Sequence, residues 1–540
     1  MTRLVRLGRW GDMISLRDEV DEFKRVAREA ADVEVQASMA ALQAQLDRSF
    51  EETYGHSIHE PGLDNPWQDQ NSEFATGFLD DLLFPDVEQE TEAVNEYALD
   101  AIFDAGISHN DLASYAYPIR PEHFARYKTE SPSSDVMRTW SEVERCSIYV
   151  HVPFCKSKCR FCPFVVIGHP TEDMMGAYVD SLLAEIELYR PAFDGDAKEI
   201  VGFDIGGGTP TILSIDQLRR VQDGIKSMCG SDLDFNSSIE TTPKIASSDL
   251  AKLKFLQQNG STRISMGVQS INPRILAKVR QDGNTPGVVE RAVSNVREAG
   301  FEYMNLDLMY GFEGQSVEDW LATLEFTMRM SPETVTLYRV IYKGTEIEDD
   351  QSSTTLGGVN GLYEFAYKYL AERGYKALYG HNMFCKDGAE SGLSSYLEER
   401  GRRATPYLGL GPGAQSMFID GMSYNCGQAD DGLEKYHQMI ASGEFPLQDF
   451  YKLPIAEMLS KAIAISFYSG LIDLRALGQR FGVDLNIYFE NEIKFLIGND
   501  LMVLQDGDVL VLTKKGAQNM NGIIPLFYST NSKQYLVGLN

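Results

Sequence analysis

From Cys146 onward, short apolar runs alternate with longer amphipathic ones, and this rhythm limits the fold more than any other feature of the 540-residue chain. Strand-like runs occur at 147–152, 200–205, 237–240, 263–267, 304–308 and 334–341. Helix-like segments lie between them, around 173–190, 214–228, 247–258, 285–299 and 316–330. A helix inserted between strands carries the chain back to its starting edge, so consecutive strands pair in parallel and the helices cover the outside. One helix is well punctuated: Thr285 can cap it, Pro286 suits its first turn and Gly300 ends it. Six such units are fewer than a closed eight-fold barrel requires, which predicts an α/β fold with a partial (β/α)6 barrel open on one side.

The flanking regions differ from this core. Residues 17–52 show helical apolar spacing through Val20, Phe23, Val26 and Ala30. Residues 49–119 hold 16 Asp and Glu and no Lys or Arg, more than half of a net charge of −30. Such a stretch is a solvated helical cover or a docking face for a basic partner, such as a carrier or redox protein. Beyond the barrel, another helix is expected at 359–373, then a Gly-rich stretch at 407–418. Helices after about 450, followed by strands at 502–504 and 509–512 around the turn Asp506-Gly507, predict a winged-helix-like C-terminal domain. The expected divisions are an acidic helical extension (1–140), the barrel (141–350), a barrel extension and substrate-pocket segment (351–445) and a C-terminal domain (446–540).

With 79 Asp and Glu against 49 Lys and Arg, the surface repels nucleic acid and anionic lipid. No run is long and apolar enough to span a membrane, and the first residues lack the apolar stretch of a secretory signal. Four scattered cysteines and one tight triplet suggest a reducing compartment and a metal site, with the cytoplasm as the expected location.

That triplet lies in Tyr149-Val-His-Val-Pro-Phe-Cys155-Lys-Ser-Lys-Cys159-Arg-Phe-Cys162, directly after a strand. Three thiolates can hold one corner of an iron–sulfur cubane and leave one iron open to a small molecule. The competing use is a zinc site completed by His151 or His169.

The triplet resembles that of the radical SAM superfamily, and the surrounding residues resemble its oxygen-independent coproporphyrinogen oxidase-like, or HemN-like, branch. The similarity runs through Gly206-Gly-Gly-Thr-Pro-Thr211, Ser238-Ile-Glu240, Arg263-Ile-Ser-Met-Gly-Val-Gln269, Asn305-Leu-Asp-Leu-Met-Tyr-Gly311 and Gly409-Leu-Gly-Pro-Gly413. The resemblance implies that Cys155, Cys159 and Cys162 hold a [4Fe–4S] cluster whose open iron chelates S-adenosylmethionine, cleaved by one electron to methionine and a 5′-deoxyadenosyl radical. It places Tyr149, Gly207 and Glu240 at this first cofactor. It places Phe161, Gly208, Thr209, Gln269, Asp307 and Ile341 at a second S-adenosylmethionine, with Gln415 at a further cofactor position. Where the family has an arginine, Gln281 stands here, beside Arg280.

Coproporphyrinogen oxidases continue past the third cysteine as Cys-Gly-Cys-Asn, whereas this chain reads Cys162-Pro-Phe-Val165, and Ser114-Tyr-Ala-Tyr-Pro118 is only faintly similar to their Tyr-Pro element. The His-Asn-x-x-Tyr-Trp element of the haem-chaperone relatives is also missing, since His381-Asn382 is followed by Met-Phe-Cys-Lys. The expectation is therefore a class C methyltransferase, using two S-adenosylmethionines to methylate or cyclopropanate an sp² carbon. Coproporphyrinogen decarboxylation is the alternative, and a haem chaperone the third choice. The implied partners are a small-molecule substrate of polyketide, alkaloid, quinone or tetrapyrrole type and a reductant such as flavodoxin or ferredoxin. Tyr338, Tyr342 and Cys385 are expected near the pocket, without an assigned catalytic role.

Overall fold

Six parallel strands occupy the middle of one sheet, each paired with its successor: β1 (Arg145–Val152), β2 (Glu199–Gly207), β3 (Ser237–Thr241), β4 (Ser261–Gln269), β5 (Tyr303–Tyr310) and β6 (Thr334–Arg339). The computed structural model describes residues 98–538, apart from 109–116, 118–120, 130–131, 165, 194–197, 231–236, 282, 354–355, 387–392 and 428–431. The helices expected at 17–52 and most of the acidic stretch lie outside the described residues. So do all but Tyr117 of the Ser114–Pro118 element.

The strands form because their residues alternate with period two. On one row, Ile148, Val150, Val152, Phe203, Ile205, Ile239, Ile264, Met266, Leu306 and Val335 are buried in the core shared with the outer helices. The other row carries Asp204, Ser238, Glu240, Arg263, Ser265, Asn305, Asp307, Thr334 and Thr336, so the inside of the barrel is polar. Crossover helices Glu172–Phe193, Ile215–Cys229, Leu250–Gln258, Pro286–Ala299 and Val317–Met330 cover the apolar row. Ser214 with Gln217 and Ser316 with Asp319 form capping boxes that satisfy the first N–H groups of two of them. Thr285 stands at the N-cap as expected, yet its side chain makes no capping hydrogen bond; Pro286 and Gly300 take the expected places.

The barrel does not close. Beside β6 lies the antiparallel β8 (Met383–Lys386), with β7 (Tyr375–Lys376) at that edge. On the other side β1 pairs in parallel with β9 (Tyr407–Leu410), continued by antiparallel β10 (Gln415–Phe418), β11 (Gly421–Asn425) and β12 (Leu447–Lys452). The 407–418 stretch is thus a strand pair, and its glycines serve close backbone approach. A Cβ on Gly409 would sit 2.2 Å from the Gln415 carbonyl oxygen, and one on Gly411 2.5 Å from that of His151.

The C-terminal residues form a second apolar core around Met458, Ile463, Phe467, Leu477, Leu496 and Phe527. Its helices are closed by an antiparallel three-stranded sheet of β13 (Leu471–Asp473), β14 (Met502–Gln505) and β15 (Val509–Leu512). Asp506 and Gly507 both take positive φ in the hairpin turn, the conformation that matches strand twist. Helix Leu356–Ala371 links barrel and pocket: Val359, Leu362, Ala366 and Leu370 are buried, and the Trp320 indole donates to the Leu362 carbonyl at 3.0 Å.

Candidate active site

At the C-terminal ends of the parallel strands lies a cavity of about 1560 Å³. Parallel α/β sheets bind ligands at this end, because the loops that follow each strand converge there. Common small-molecule pockets span roughly 300–1,000 Å³, so this one has room for more than one molecule. All three triplet cysteines line it, as do Phe161, Gly207, Gly208, Thr209, Glu240, Gln269, Asp307 and Ile341.

Each thiol meets a different neighbour: Cys155 the Thr209 hydroxyl at 3.5 Å, Cys159 the Gln281 amide, and Cys162 the Phe164 carbonyl at 4.0 Å. Burial raises all three thiol pKa values, Cys159 to about 11, so they hold their protons until a metal displaces them. Among the described residues no three His, Cys, Asp or Glu side chains are placed to share one metal ion. His151, one of the two candidate zinc ligands, is half-buried beside Gly207 and Tyr149, and desolvation lowers its pKa to about 4.

Two carboxylates share the cavity floor. Glu240 is open to the cavity but enclosed on its other sides; it accepts the Gly207 N–H at 3.1 Å, and desolvation with the nearby Asp307 charge pushes its pKa up to about 8. Asp307 is held by Ser265 at 3.0 Å and Asn305 at 2.7 Å, while Asn305 in turn accepts from Thr334 and Thr336. Burial raises its pKa to about 6, with Arg263 opposing. This network fixes the carboxylate's direction before any ligand arrives.

The strand register slips between Gly267 and Gln269, and Gln269 adopts a φ of 66°, rare for a non-glycine residue. Its side-chain oxygen is buried without a hydrogen-bond partner, an acceptor left for a ligand's N–H or O–H. The glycine run, expected to make room for a cofactor, is also required by the protein itself. Added Cβ atoms would meet the Tyr149 hydroxyl at 2.8 Å from position 206, the His151 ring at 2.7 Å from 207 and the Phe154 carbonyl at 2.5 Å from 208.

Two expected contacts are not at the cavity wall. Tyr149 lies one layer behind, stacked on Tyr396 at 5.5 Å with its hydroxyl beside Gly206, and Gln415 donates to the Tyr424 hydroxyl at 3.2 Å. Gln281 faces the cavity, whereas Arg280 is turned away into a two-pronged pair with Glu346 at 2.9 and 2.6 Å. Tyr338 and Tyr342 line the cavity, but Cys385 does not; Asn382, on the same segment, does.

The outer wall was not legible in the sequence. One face of helix Leu356–Ala371 contributes Asn360, Tyr363, Glu364, Tyr367 and Lys368, joined by Tyr379, Tyr468 and residues 517–521. Phe164, Tyr338, Ile341, Tyr379 and Tyr468, all between 37 % and 64 % exposed, meet here, so the mouth is an aromatic surface turned toward solvent. The available signal was Tyr363 and Tyr367, four residues apart on one helix face, whose rings pack on the core at Phe384 and also reach the cavity.

The radical SAM superfamily matches residues 149–327. The oxygen-independent coproporphyrinogen III oxidase of Helicobacter pylori is 26% identical over 364 residues, spanning 65% of this chain and 78% of that protein. The Escherichia coli oxidase is 25% identical over 398 residues (71% and 85%), and the heme chaperone HemW of Bacillus subtilis 25% over 401 (71% and 98%). The solved coproporphyrinogen III oxidase (HemN) of Escherichia coli shares the fold, with a TM-score of 0.63 at 23% identity, covering 74% of this chain and 94% of its own. These relatives overturn the expectation of a methyltransferase: the enzymes matched over most of their length are coproporphyrinogen oxidases. The missing fourth cysteine does not set this chain apart from them. It follows the three thiols that line the cavity, so its replacement by Pro163, Phe164 and Val165 removes none of them, and Phe164 instead adds to the aromatic wall. An iron–sulfur cluster and S-adenosylmethionine are the cofactors of this superfamily; the chain carries its domain at residues 149–327 and is similar beyond it to the HemN-like branch.

Proposed function

We propose that the protein is a coproporphyrinogen oxidase-type radical enzyme, which removes carbon dioxide from a propionate side chain of a tetrapyrrole without oxygen. The observation that carries this reading is the match to coproporphyrinogen oxidases over three-quarters or more of their length. The cavity supports it, with thiols and acids at one end, an open aromatic wall at the other and a volume of about 1560 Å³ between.

When bound, the cluster and S-adenosylmethionine supply one-electron cleavage of the sulfonium and hence a carbon radical able to take a hydrogen atom. Cys155, Cys159 and Cys162 would hold the cluster. Glu240, fixed by the Gly207 N–H, would accept from a cofactor amine, while Tyr149 supports that wall from behind. Asp307 and Gln269 offer acceptors to hydroxyl or amine groups of a second S-adenosylmethionine, flanked by Phe161, Gly208, Thr209 and Ile341. The aromatic mouth covers the tetrapyrrole and keeps water from the radical. A cytoplasmic location and a flavodoxin- or ferredoxin-like reductant accompany this proposal. No helix among the described residues is long and apolar enough to cross a membrane.

The test is anaerobic turnover with coproporphyrinogen III, methyl-deuterated S-adenosylmethionine and a low-potential reductant. Decarboxylated tetrapyrrole with unlabelled 5′-deoxyadenosine and methionine is expected. Label in the tetrapyrrole, or cofactor cleavage without carbon dioxide loss, would refute it.

A further inference from the structure

The chain carries a net charge of −30, yet the mouth of its cavity is lined by Arg339, Lys343, Lys368 and Lys514. The acids sharing that mouth are Glu348, which accepts the Gly344 N–H at 3.0 Å, and Glu364, which pairs with Lys514 at 3.1 Å. Lys514 is therefore offset. Lys368 has only a loose contact of 3.9 Å to Glu372 on its own helix, and its side chain is 82% exposed. Arg339 and Lys343 make no ion pair among the described residues. Three cations thus stand without close partners around the aromatic wall of Tyr338, Tyr379 and Tyr468, while the acids Glu240 and Asp307 lie at the floor.

We propose that Arg339, Lys343 and Lys368 form a receptor for side-chain carboxylates of the substrate, an inference that rests on the tetrapyrrole reading. A polyanion approaching this protein is repelled by most of its surface and attracted at this rim, which both steers and orients it. One side chain enters toward the thiols while the others stay at the rim. With four propionates on the ring, three remain outside, one for each cation. Arg339 can grip a carboxylate with two parallel N–H groups, whereas the lysines act as point charges.

The experiment is a fluorescence and Soret titration of the full chain with coproporphyrin III, the stable oxidised ring with the same four carboxylates, and with protoporphyrin IX, which has two. It compares the wild type, the triple variant Arg339→Gln/Lys343→Gln/Lys368→Gln and, as control, Lys435→Gln, a surface change away from the cavity. Tenfold or greater weakening for coproporphyrin in the triple variant, less for protoporphyrin, with a flatter salt dependence and an unchanged control, is expected. Equal affinity of wild type and triple variant for coproporphyrin would overturn the receptor and leave the oxidase reading standing. Failure of the wild type to bind either ring would overturn both.

Discussion

The floor and mouth of the cavity are made in different ways. At the floor, each chemical group sits at the end of a parallel strand or in the loop after β1, and its side chain is held by neighbours on adjacent strands. Asp307 alone draws on Ser265 and Asn305, with Thr334 and Thr336 behind them. The mouth gathers side chains from 338–343, one helix face, Tyr379, Tyr468 and residues 514–521, and much of that surface is exposed. The floor is preorganised and leaves little freedom to its reactive groups. The mouth is a wide contact surface on which single changes alter what binds more than what reacts.

The largest effect that would sharpen this contrast is at the thiols. Cys155→Ala should lose bound iron and reduce 5′-deoxyadenosine formation to background while the far-ultraviolet circular dichroism stays unchanged. Iron and sulfide analysis of the reconstituted protein checks this, and full iron content would break it. Next comes the link between barrel and mouth: Trp320 is fully buried and anchors helix Leu356–Ala371. Trp320→Ala should cost about 3–5 kcal/mol in denaturant unfolding through the cavity it leaves. Gly208→Ala forces a Cβ against the Phe154 backbone and should cost about 1–3 kcal/mol, read as a lower Tm, because that backbone cannot swing aside.

Tyr468→Ala tests the other end. Its ring is 50% exposed, so stability should change by no more than about 0.5 kcal/mol. The KM for substrate should rise about tenfold, on the scale of one lost aromatic contact. A fall in kcat at unchanged KM would mean that the mouth takes part in the chemistry, and the contrast would fail.

A further effect concerns pH. Glu185 is buried, accepting from Gly411 N–H at 2.8 Å, Asn425 at 2.7 Å and Tyr436 at 2.7 Å, and burial raises its pKa to about 7 from an ordinary 4.5. The folded chain keeps this proton where the unfolded chain has released it. The contribution to stability is therefore full below about 4.5 and is lost as pH rises toward about 7. Denaturant unfolding of Glu185→Gln between pH 4.5 and 7.5 should show a shallower fall than the wild type; identical slopes would show that Glu185 ionises freely when folded.

The six strands were legible because period-two alternation is local: expected and observed limits differ by no more than two residues, as at 200–205 against Glu199–Gly207. The sixth strand stops at Arg339, and Ile341 lies beyond it on the open wall. The edge strands β7–β12 were not foreseen because they are short and depend on their neighbours for pairing. Tyr149 and Gln415 were matched by motif alone, and only the fold shows that their side chains lie against Tyr396 and Tyr424.

The sequence by itself determined the parallel barrel, the three cysteines after its first strand and the acids Glu240 and Asp307 at strand ends, because each depends on spacing within a few residues. Tertiary structure alone decided that Gln281 rather than Arg280 faces the cavity, that Gln269 is turned on a bulge, and that a rim of cations surrounds an aromatic mouth. Those features arise where segments separated by as much as three hundred residues and more meet, and the folded core brings them together.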